Sequence, residues 1–141
     1  MISGPGGRQQ PAMRDGVRFQ VVAHKPGTPL LTVSAWRGKE RVWEHPLNLA
    51  APTRLEGLPL IVTPQAVVTY GLRPGDADAG WLVGLDTKTG RPLYQQRQDS
   101  SWSDDLMGFA WNGRFILARW GCGLHAYDPA TGERRWHIGG R

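Results

Sequence analysis

An eleven-residue pattern occurs twice in this chain and decides the prediction of its fold. Residues 84–94 read GLDTKTGRPLY, and residues 126–136 read AYDPATGERRW. Both fit small-x-Asp-x-x-Thr-Gly-x-x-x-aromatic, and the two copies are offset by 42 residues at every matched position. Repetition at a fixed period of this length is typical of arrays of similar structural units. The sequence therefore predicts a repeat architecture.

A weaker third copy lies nearer the N-terminus. Residues 31–43 read LTVSAWRGKERVW, which keeps a strand pattern, a turn glycine at Gly38 and a final Trp43 but lacks the Asp and the Thr. Trp43 lies 51 residues before Tyr94, so the spacing exceeds the 42-residue period by nine. We assign this extra length to a loop over residues 73–80.

The segments around both strong motifs are typical of strands. They are short, rich in β-branched and aromatic residues, and bounded by Gly, Pro, Asn or Asp. Asn112-Gly113 is a strong hairpin signal, and no segment has a convincing helical pattern. The 19 Gly and 11 Pro residues also oppose long helices. The strand segments are 60–63, 66–70, 80–85, 106–111, 114–120 and 123–127.

These patterns give about four strands in each strong copy and three in the weak copy. Four-stranded units of about this length are typical of β-propeller blades. We predict an all-β fold with about three four-stranded antiparallel blades of a partial or open β-propeller. The blades are placed at approximately 16–50, 56–98 and 104–140, and residues 1–15, rich in Gly, Pro and Gln, are predicted to be a flexible arm.

The motif can be explained as a turn that ends in a packing contact between blades. Its Asp can accept hydrogen bonds from turn N–H groups, its Gly can adopt a positive φ, and its Thr can add a hydroxyl bond. The aromatic ring can fill the wedge between neighbouring blades, beside the small residue ten positions earlier. Truncating a buried ring is expected to cost about 3–5 kcal/mol. The predicted contact residues are Gly84, Asp86, Thr89, Gly90, Tyr94, Ala126, Asp128, Thr131, Gly132, Trp136 and, in the weak copy, Trp43.

The eleven-residue pattern resembles the tryptophan-docking motif of PQQ-like, quinoprotein-type β-propeller repeats. The match is full at 126–136, near-full at 84–94, where Gly replaces Ala and Tyr replaces Trp, and degenerate at 31–43. The resemblance covers about residues 16–140. It implies a propeller architecture but no single function, because the family contains quinoprotein alcohol dehydrogenases as well as non-catalytic propellers such as an outer-membrane assembly lipoprotein and sensor domains of kinases.

Members of this family have around seven or eight blades, whereas this chain has nearly three. An incomplete ring exposes strand edges and the apolar face of a terminal blade. Three alternatives follow: a piece of a longer protein or a gene remnant, an association of copies into a ring, or an open array. We expect a protein partner or self-association to complete the propeller.

Composition and charge restrict the remaining possibilities. No apolar run is long enough for a membrane-spanning helix, and no apolar leader is present, so a complete chain is expected in the cytoplasm; the location of a piece of an exported protein stays open. The net charge of +5 comes from scattered Arg residues without a basic cluster, which gives little support for nucleic-acid binding. The lone Cys122 can form no disulfide within the chain.

Two other groups of residues have side chains that could bind a metal, but their spacing favours structural or solvated roles. His125 and His137 lie on different strands, and we interpret them as structural rather than as a metal pair. Two acidic pairs lack the spacing of an EF-hand loop and are predicted to be solvated; they are Asp76 with Asp78 and Asp104 with Asp105. We therefore predict no metal site and no catalytic residue.

The sequence favours a non-catalytic β-propeller module for binding or scaffolding, a fragment or truncated homologue of a PQQ-like repeat protein without a cofactor. The alternative that the resemblance implies is part of a quinoprotein alcohol or sugar dehydrogenase, active only when assembled, with PQQ and calcium. In that case Trp120 or Trp102 could form the aromatic floor under the quinone. The family's calcium ligands and catalytic Asp match no motif here, and the adjacent cysteines that often cover the cofactor have no counterpart beside Cys122.

Overall fold

The computed structural model describes residues 12–23, 31–50, 59–73, 76–97, 106–120 and 123–139. All helical or extended elements within these ranges are β-strands. The twelve strands form three four-stranded antiparallel sheets, each built from strands that are consecutive in the sequence. The prediction of an all-β fold with three four-stranded antiparallel units is confirmed. Among the described residues, no helix is long and apolar enough to cross a membrane.

The first sheet has one more strand than the sequence predicted. It contains β1 (Ala12–Arg14), β2 (Val17–Ala23), β3 (Leu31–Arg37) and β4 (Glu40–Leu47), in that order. Asp15 and Gly16 both adopt positive φ angles, 52° and 77°. This two-residue turn matches the right-handed twist of the flanking strands, so β1 folds back onto β2. Residues 12–14 of the predicted arm are therefore a strand, while residues 1–11 lie outside the described ranges.

The second sheet contains β5 (Ile61–Val62), β6 (Ala66–Arg73), β7 (Asp76–Asp86) and β8 (Pro92–Arg97). The prediction of a loop at 73–80 is wrong for residue 73, which ends β6, and for residues 76–80, which belong to β7; residues 74 and 75 lie outside the described ranges. Leu72 pairs with Gly80 and Arg73 pairs with Asp76, with a register shift between the two pairs. The extra residues therefore lengthen the β6–β7 hairpin.

The third sheet contains β9 (Leu106–Trp111), β10 (Ile116–Trp120), β11 (Gly123–Tyr127) and β12 (Arg134–Ile138). The predicted Asn112-Gly113 hairpin connects β9 and β10. Gly113 has a φ of 97°. The Asn112 side-chain oxygen accepts hydrogen bonds from the backbone N–H groups of Arg114 and Phe115, both at 2.8 Å, which closes the turn.

The three sheets are held together by two apolar layers, one on each face of the second sheet. Val67, Val83 and Leu85 belong to the layer shared with the first sheet. Residues adjacent to them in sequence point the other way because side chains alternate along a strand. Val68 and Leu82 are two such residues, and they belong, together with Tyr70, to the layer shared with the third sheet. The second sheet is thus covered on both faces, and the first and third sheets are the two ends of the array.

Candidate interaction surface

The first contact between sheets that involves a predicted motif residue joins Trp43 to the turn at 86–90. The Trp43 indole Nε1–H donates a hydrogen bond to the Thr87 carbonyl oxygen at 3.1 Å. The indole ring lies so close to Gly90 that a Cβ atom there would collide with it. Trp43 is only 9% exposed as a result. The aromatic residue of the first sheet thus lies on the turn of the second.

The same arrangement recurs between the second and third sheets. The Tyr94 hydroxyl donates a hydrogen bond to the Pro129 carbonyl oxygen at 3.0 Å. Its ring covers Gly132 of the third sheet and Gly84 of its own sheet, and a Cβ atom at either glycine would collide with it. Tyr94 is 9% exposed, and burial raises the pKa of its hydroxyl, with a further increase from the negative charge of Asp128. We call these two arrangements ring-on-turn contacts.

The turn under Trp43 is fixed by its own polar groups. The Asp86 carboxylate accepts hydrogen bonds from the N–H groups of Lys88 at 2.9 Å and Thr89 at 3.0 Å. Burial alone would raise the pKa of Asp86, but these hydrogen bonds, together with the Thr89 side chain and the Lys88 charge, lower it. The Thr89 hydroxyl accepts a bond from the Arg91 N–H at 3.3 Å, and Gly90 has a φ of 77°.

The turn under Tyr94 has nearly the same hydrogen bonds. The Asp128 carboxylate accepts from the Ala130 N–H at 2.8 Å, and the Thr131 hydroxyl accepts from the Glu133 N–H at 3.2 Å. Gly132 has a φ of 75°, and its N–H donates to the Asp128 carbonyl oxygen at 2.7 Å. The motif therefore places a bare glycine and an outward carbonyl oxygen at fixed positions on each turn.

The third motif aromatic, Trp136, has no sheet in front of it. It pairs with Ala126 as Tyr94 pairs with Gly84 and Trp43 with Ala35, so all three rings face in the same direction along the array. Trp136 is 36% exposed, four times the value of either counterpart. Its ring contacts Phe115 edge-on, with centroids 6.2 Å apart. The structure thus places all eleven predicted contact residues: nine lie in the two ring-on-turn contacts, and Trp136 and Ala126 form a pair that no further sheet covers.

The surface around Trp136 is mainly apolar, but the exposed Arg119, which pairs with Leu124, lies on the same face. The strand register places its members opposite to Ile116, Ala118 and Tyr127, which face the second sheet. Ile138 is the most exposed of them, at 63%. We call this surface the open face; it contains Phe115, Leu117, Leu124, Trp136 and Ile138.

The outward face of the first sheet has a different chemistry. The Arg18 guanidinium donates a hydrogen bond to the Gln20 side-chain oxygen at 3.0 Å, and its Cζ lies 5.7 Å from the centroid of the Trp36 ring. The Trp36 indole N–H donates to the Ser34 hydroxyl at 2.9 Å. Repeat arrays are commonly closed by a terminal unit with a polar outer face. The outward face of the first sheet is polar, with Arg18 and Gln20 partly exposed and Ser34 buried, whereas the face of the third sheet around Trp136 is mainly apolar.

The first sheet also lacks the turn on which an aromatic ring could lie. Ala35 and Trp43 are eight residues apart, whereas the matching residues in the other sheets are ten apart. The β3–β4 turn contains Gly38, with a φ of 63°, but nothing lies within 4 Å of a Cβ atom built there. This turn has no Asp or Thr, so it does not reproduce the hydrogen bonds of the other two turns.

The two histidines considered as a metal pair do lie side by side. The His125 and His137 rings stack, with centroids 5.5 Å apart and planes at 13°. His125 is fully buried, and burial lowers its pKa to about 4, with further contributions from the charges of Arg134 and His137. In the part of the chain that the structure describes, no group of three or more His, Cys, Asp or Glu side chains could hold a metal ion.

Several other candidates fall where the side chains cannot be described. Asp76 and Asp78 lie on β7, but the placement of their side chains is outside the described set, and so is that of Trp120. Trp102, Asp104, Asp105 and Cys122 lie outside the described residues. Calcium takes six to eight oxygen ligands, and the described residues bring no such set together. No chemistry of a quinone or of calcium is therefore derived from them.

A cavity of about 340 Å³ lies between the second and third sheets, at the end where three turns meet. Its lining includes Trp111, Arg114 and Asp128. One oxygen of Asp128 is already engaged in its own turn. Sequence reasoning predicts an exposed apolar face on a terminal blade but not which blade has it. It does not identify the cavity, because the cavity forms where residues distant in the sequence come together.

Comparison with solved structures supports the fold. The chain resembles the BamB β-propeller from Moraxella catarrhalis, with a TM-score of 0.58 and 17% sequence identity over 86% of this chain and 34% of BamB. The chain thus spans about a third of the length of that protein. No family model and no curated protein matches the chain. At this identity the likeness shows a β-propeller-like fold.

Proposed function

We propose that this chain is a non-catalytic β-propeller module for protein binding or scaffolding, and that the open face of the third sheet is its binding surface. The observation that carries the proposal is the exposure of Trp136. Trp43 and Tyr94 occupy the same position in their sheets and are covered by the next turn, whereas Trp136 is not. A contiguous exposed apolar surface of this kind is typical of a protein-interaction site.

We further propose that the three sheets are PQQ-like repeats. Support comes from the two ring-on-turn contacts, in which each residue type of the motif has a packing role: the Asp and Thr fix the turn, and the Gly receives the ring. The chemistry of the motif is used for packing between sheets. No described residue of the motif is left over for catalysis.

Affinity capture with the full chain tests the proposed function. Wild type and the Trp136→Ala and Trp36→Ala variants would be used as baits in extracts of the cells that produce the chain. We expect a protein retained by wild type and Trp36→Ala and lost with Trp136→Ala. The same set of proteins on all three baits would overturn the assignment of the binding surface.

An activity assay tests the non-catalytic part of the proposal. The purified chain would be incubated with PQQ, calcium, an artificial electron acceptor and an alcohol or an aldose. We expect no turnover above the protein-free control. Turnover would overturn the non-catalytic assignment and support the dehydrogenase alternative.

A further inference from the structure

We infer that the open face binds a β-blade that carries an uncovered Asp-x-x-Thr-Gly turn, and that a second copy of this chain is not that partner. The inference rests on the proposed function and specifies the partner of the same surface. It follows from the contacts of the two covered rings and from the turns and sheet faces that a second copy could present within its described residues.

Each covered ring meets the same two features of the neighbouring turn. One is a glycine with positive φ, Gly90 or Gly132, against which the ring packs without a Cβ. The other is the carbonyl oxygen of the residue directly after the Asp, in Thr87 or Pro129, which accepts the N–H or O–H of the ring. Trp136 has the same place in its sheet and an indole N–H, so a partner that covers it in the same way must supply both features.

Neither complete turn of a second copy is available. Its turn at 86–90 is covered by its own Trp43, and its turn at 128–132 by its own Tyr94. Two open faces packed against each other would present no such turn to either Trp136. Uncovering a turn would require the separation of two sheets that share an apolar layer.

The first sheet of a second copy is equally unsuited. The positions that correspond to Val67, Val83 and Leu85, which the second sheet presents to the first, are occupied in the first sheet by Arg18, Ser34 and Trp36. Head-to-tail pairing would bury the partly exposed Arg18 guanidinium against the open face, whereas Ser34 is already only 4% exposed. It would also place the short Gly38 turn, without an Asp or a Thr, opposite Trp136. Burying polar groups without new partners opposes association.

The partner's chemistry follows from the face that the second sheet presents to Trp43. Such a blade has aliphatic side chains on its two middle strands and ends in an Asp-x-x-Thr-Gly turn whose glycine is bare. A blade of this kind would continue the existing stacking of sheets with the same contact geometry. The open face is therefore directional, because it receives a blade only through the partner's turn-bearing face.

A modified full chain provides the probe. In this graft variant, residues 36–42 are replaced by the sequence of residues 85–93, and Arg18→Val and Ser34→Val are added, so that its first sheet copies the receiving face of the second. Trp136→Ala in the same chain removes its own open-face ring and prevents self-assembly. Its binding to wild-type chain is measured by light scattering and by titration. The unmodified first sheet in a Trp136→Ala chain is the matched control.

We expect the graft variant to form a 1:1 complex with wild type, at least tenfold tighter than the matched control does, and to lose this binding when the wild-type chain carries Trp136→Ala. A graft variant with native-like circular dichroism and no binding would overturn the inference. The oligomeric state of wild type alone is a second test that does not depend on the folding of the graft. We expect a monomer at micromolar concentration.

A discrete wild-type oligomer that dissociates on Trp136→Ala would also overturn the inference, because it would show that a second copy covers the open face. That result would leave the binding function intact. Catalytic turnover in the assay above would instead remove the proposed function, so the two failures can be told apart.

Discussion

The ring of Tyr94 lies directly over Gly132 of the next sheet, at a position where a Cβ atom does not fit. The hydroxyl of the same ring donates to the carbonyl oxygen of Pro129. One side chain thus joins two sheets through a steric fit and a hydrogen bond. Trp43 makes the equivalent pair of contacts one sheet earlier, and Trp136 is the third ring of the series.

Gly132→Ala tests the steric part of this contact. The new methyl group would meet the Tyr94 ring and also require a positive φ, and we expect a loss of about 2–5 kcal/mol in the free energy of unfolding. Gly113→Ala is the matched control, because Gly113 also has a positive φ but open space around it; it should lose about 1–2 kcal/mol. Urea unfolding measures both variants. Equal losses would contradict the close approach of the Tyr94 ring.

Tyr94→Phe isolates the hydrogen bond. The substitution keeps the ring over Gly132 but leaves the Pro129 carbonyl without this donor. We expect a loss of about 0.5–1.5 kcal/mol in the free energy of unfolding. Tyr94→Ala removes the ring as well and should cost about 3–5 kcal/mol. If Tyr94→Phe were as damaging as Tyr94→Ala, the ring packing would contribute little and our account of the contact would be wrong.

Trp43→Ala and Trp136→Ala should differ although both residues occupy the motif position. Trp43 is covered by the second sheet, and its truncation should cost about 3–5 kcal/mol in the free energy of unfolding. Trp136 is partly exposed and lies on no turn, so its truncation should cost about 2 kcal/mol or less. Thermal unfolding of the two variants in parallel gives the comparison. A larger loss for Trp136→Ala would mean that its ring is covered in solution.

Acid should weaken the layer between the second and third sheets through His125. Its pKa is lowered to about 4 in the folded chain, compared with about 6.5 when unfolded. Between these values the unfolded state binds the proton more readily, so stability should fall as the pH is lowered from about 6.5 to about 4. The full contribution is present only above the unfolded value.

Urea unfolding at pH 7 and at pH 4.5 measures this dependence. His125→Gln should unfold with a smaller loss between the two pH values than wild type does. His45→Gln, at a partly exposed position on β4, is the control and should keep the wild-type dependence. The same loss in wild type and His125→Gln would rule out His125 as its source.

The number and type of sheets could be predicted from the sequence because the turn chemistry is local. Asp86, Thr89 and Gly90 act within one turn, so their spacing alone identifies the turn and its repeat at 128–132. Strand β1 was missed although Asp15-Gly16 is a two-residue hairpin signal of the same kind as Asn112-Gly113. The segment before it lacks a strand-like pattern, so the turn was not recognised. The hairpin extension at 73–80 was missed because its Gly and Asp residues are typical of loops.

The difference between the two ends of the array depends on which face of a sheet has a neighbour. The alternation Val17-Arg18-Phe19-Gln20-Val21 contains the signal of a half-covered sheet and could have indicated a polar outer face. The exposure of Trp136 has no such local signal, because its motif is the most complete of the three. Only the arrangement of the sheets shows that a neighbouring turn covers Trp43 and Tyr94 but not Trp136.

Hydroxyl-radical footprinting of the tryptophans, read by mass spectrometry on dilute wild-type chain, tests the central claim most directly. We predict that Trp136 is oxidised several times faster than Trp43, because the next turn covers one ring and not the other. Trp36, which is partly buried on the outward face of the first sheet, is the internal reference and should react at an intermediate rate. Protection of Trp136 to the level of Trp43 would show that the open face is covered, and would contradict the account.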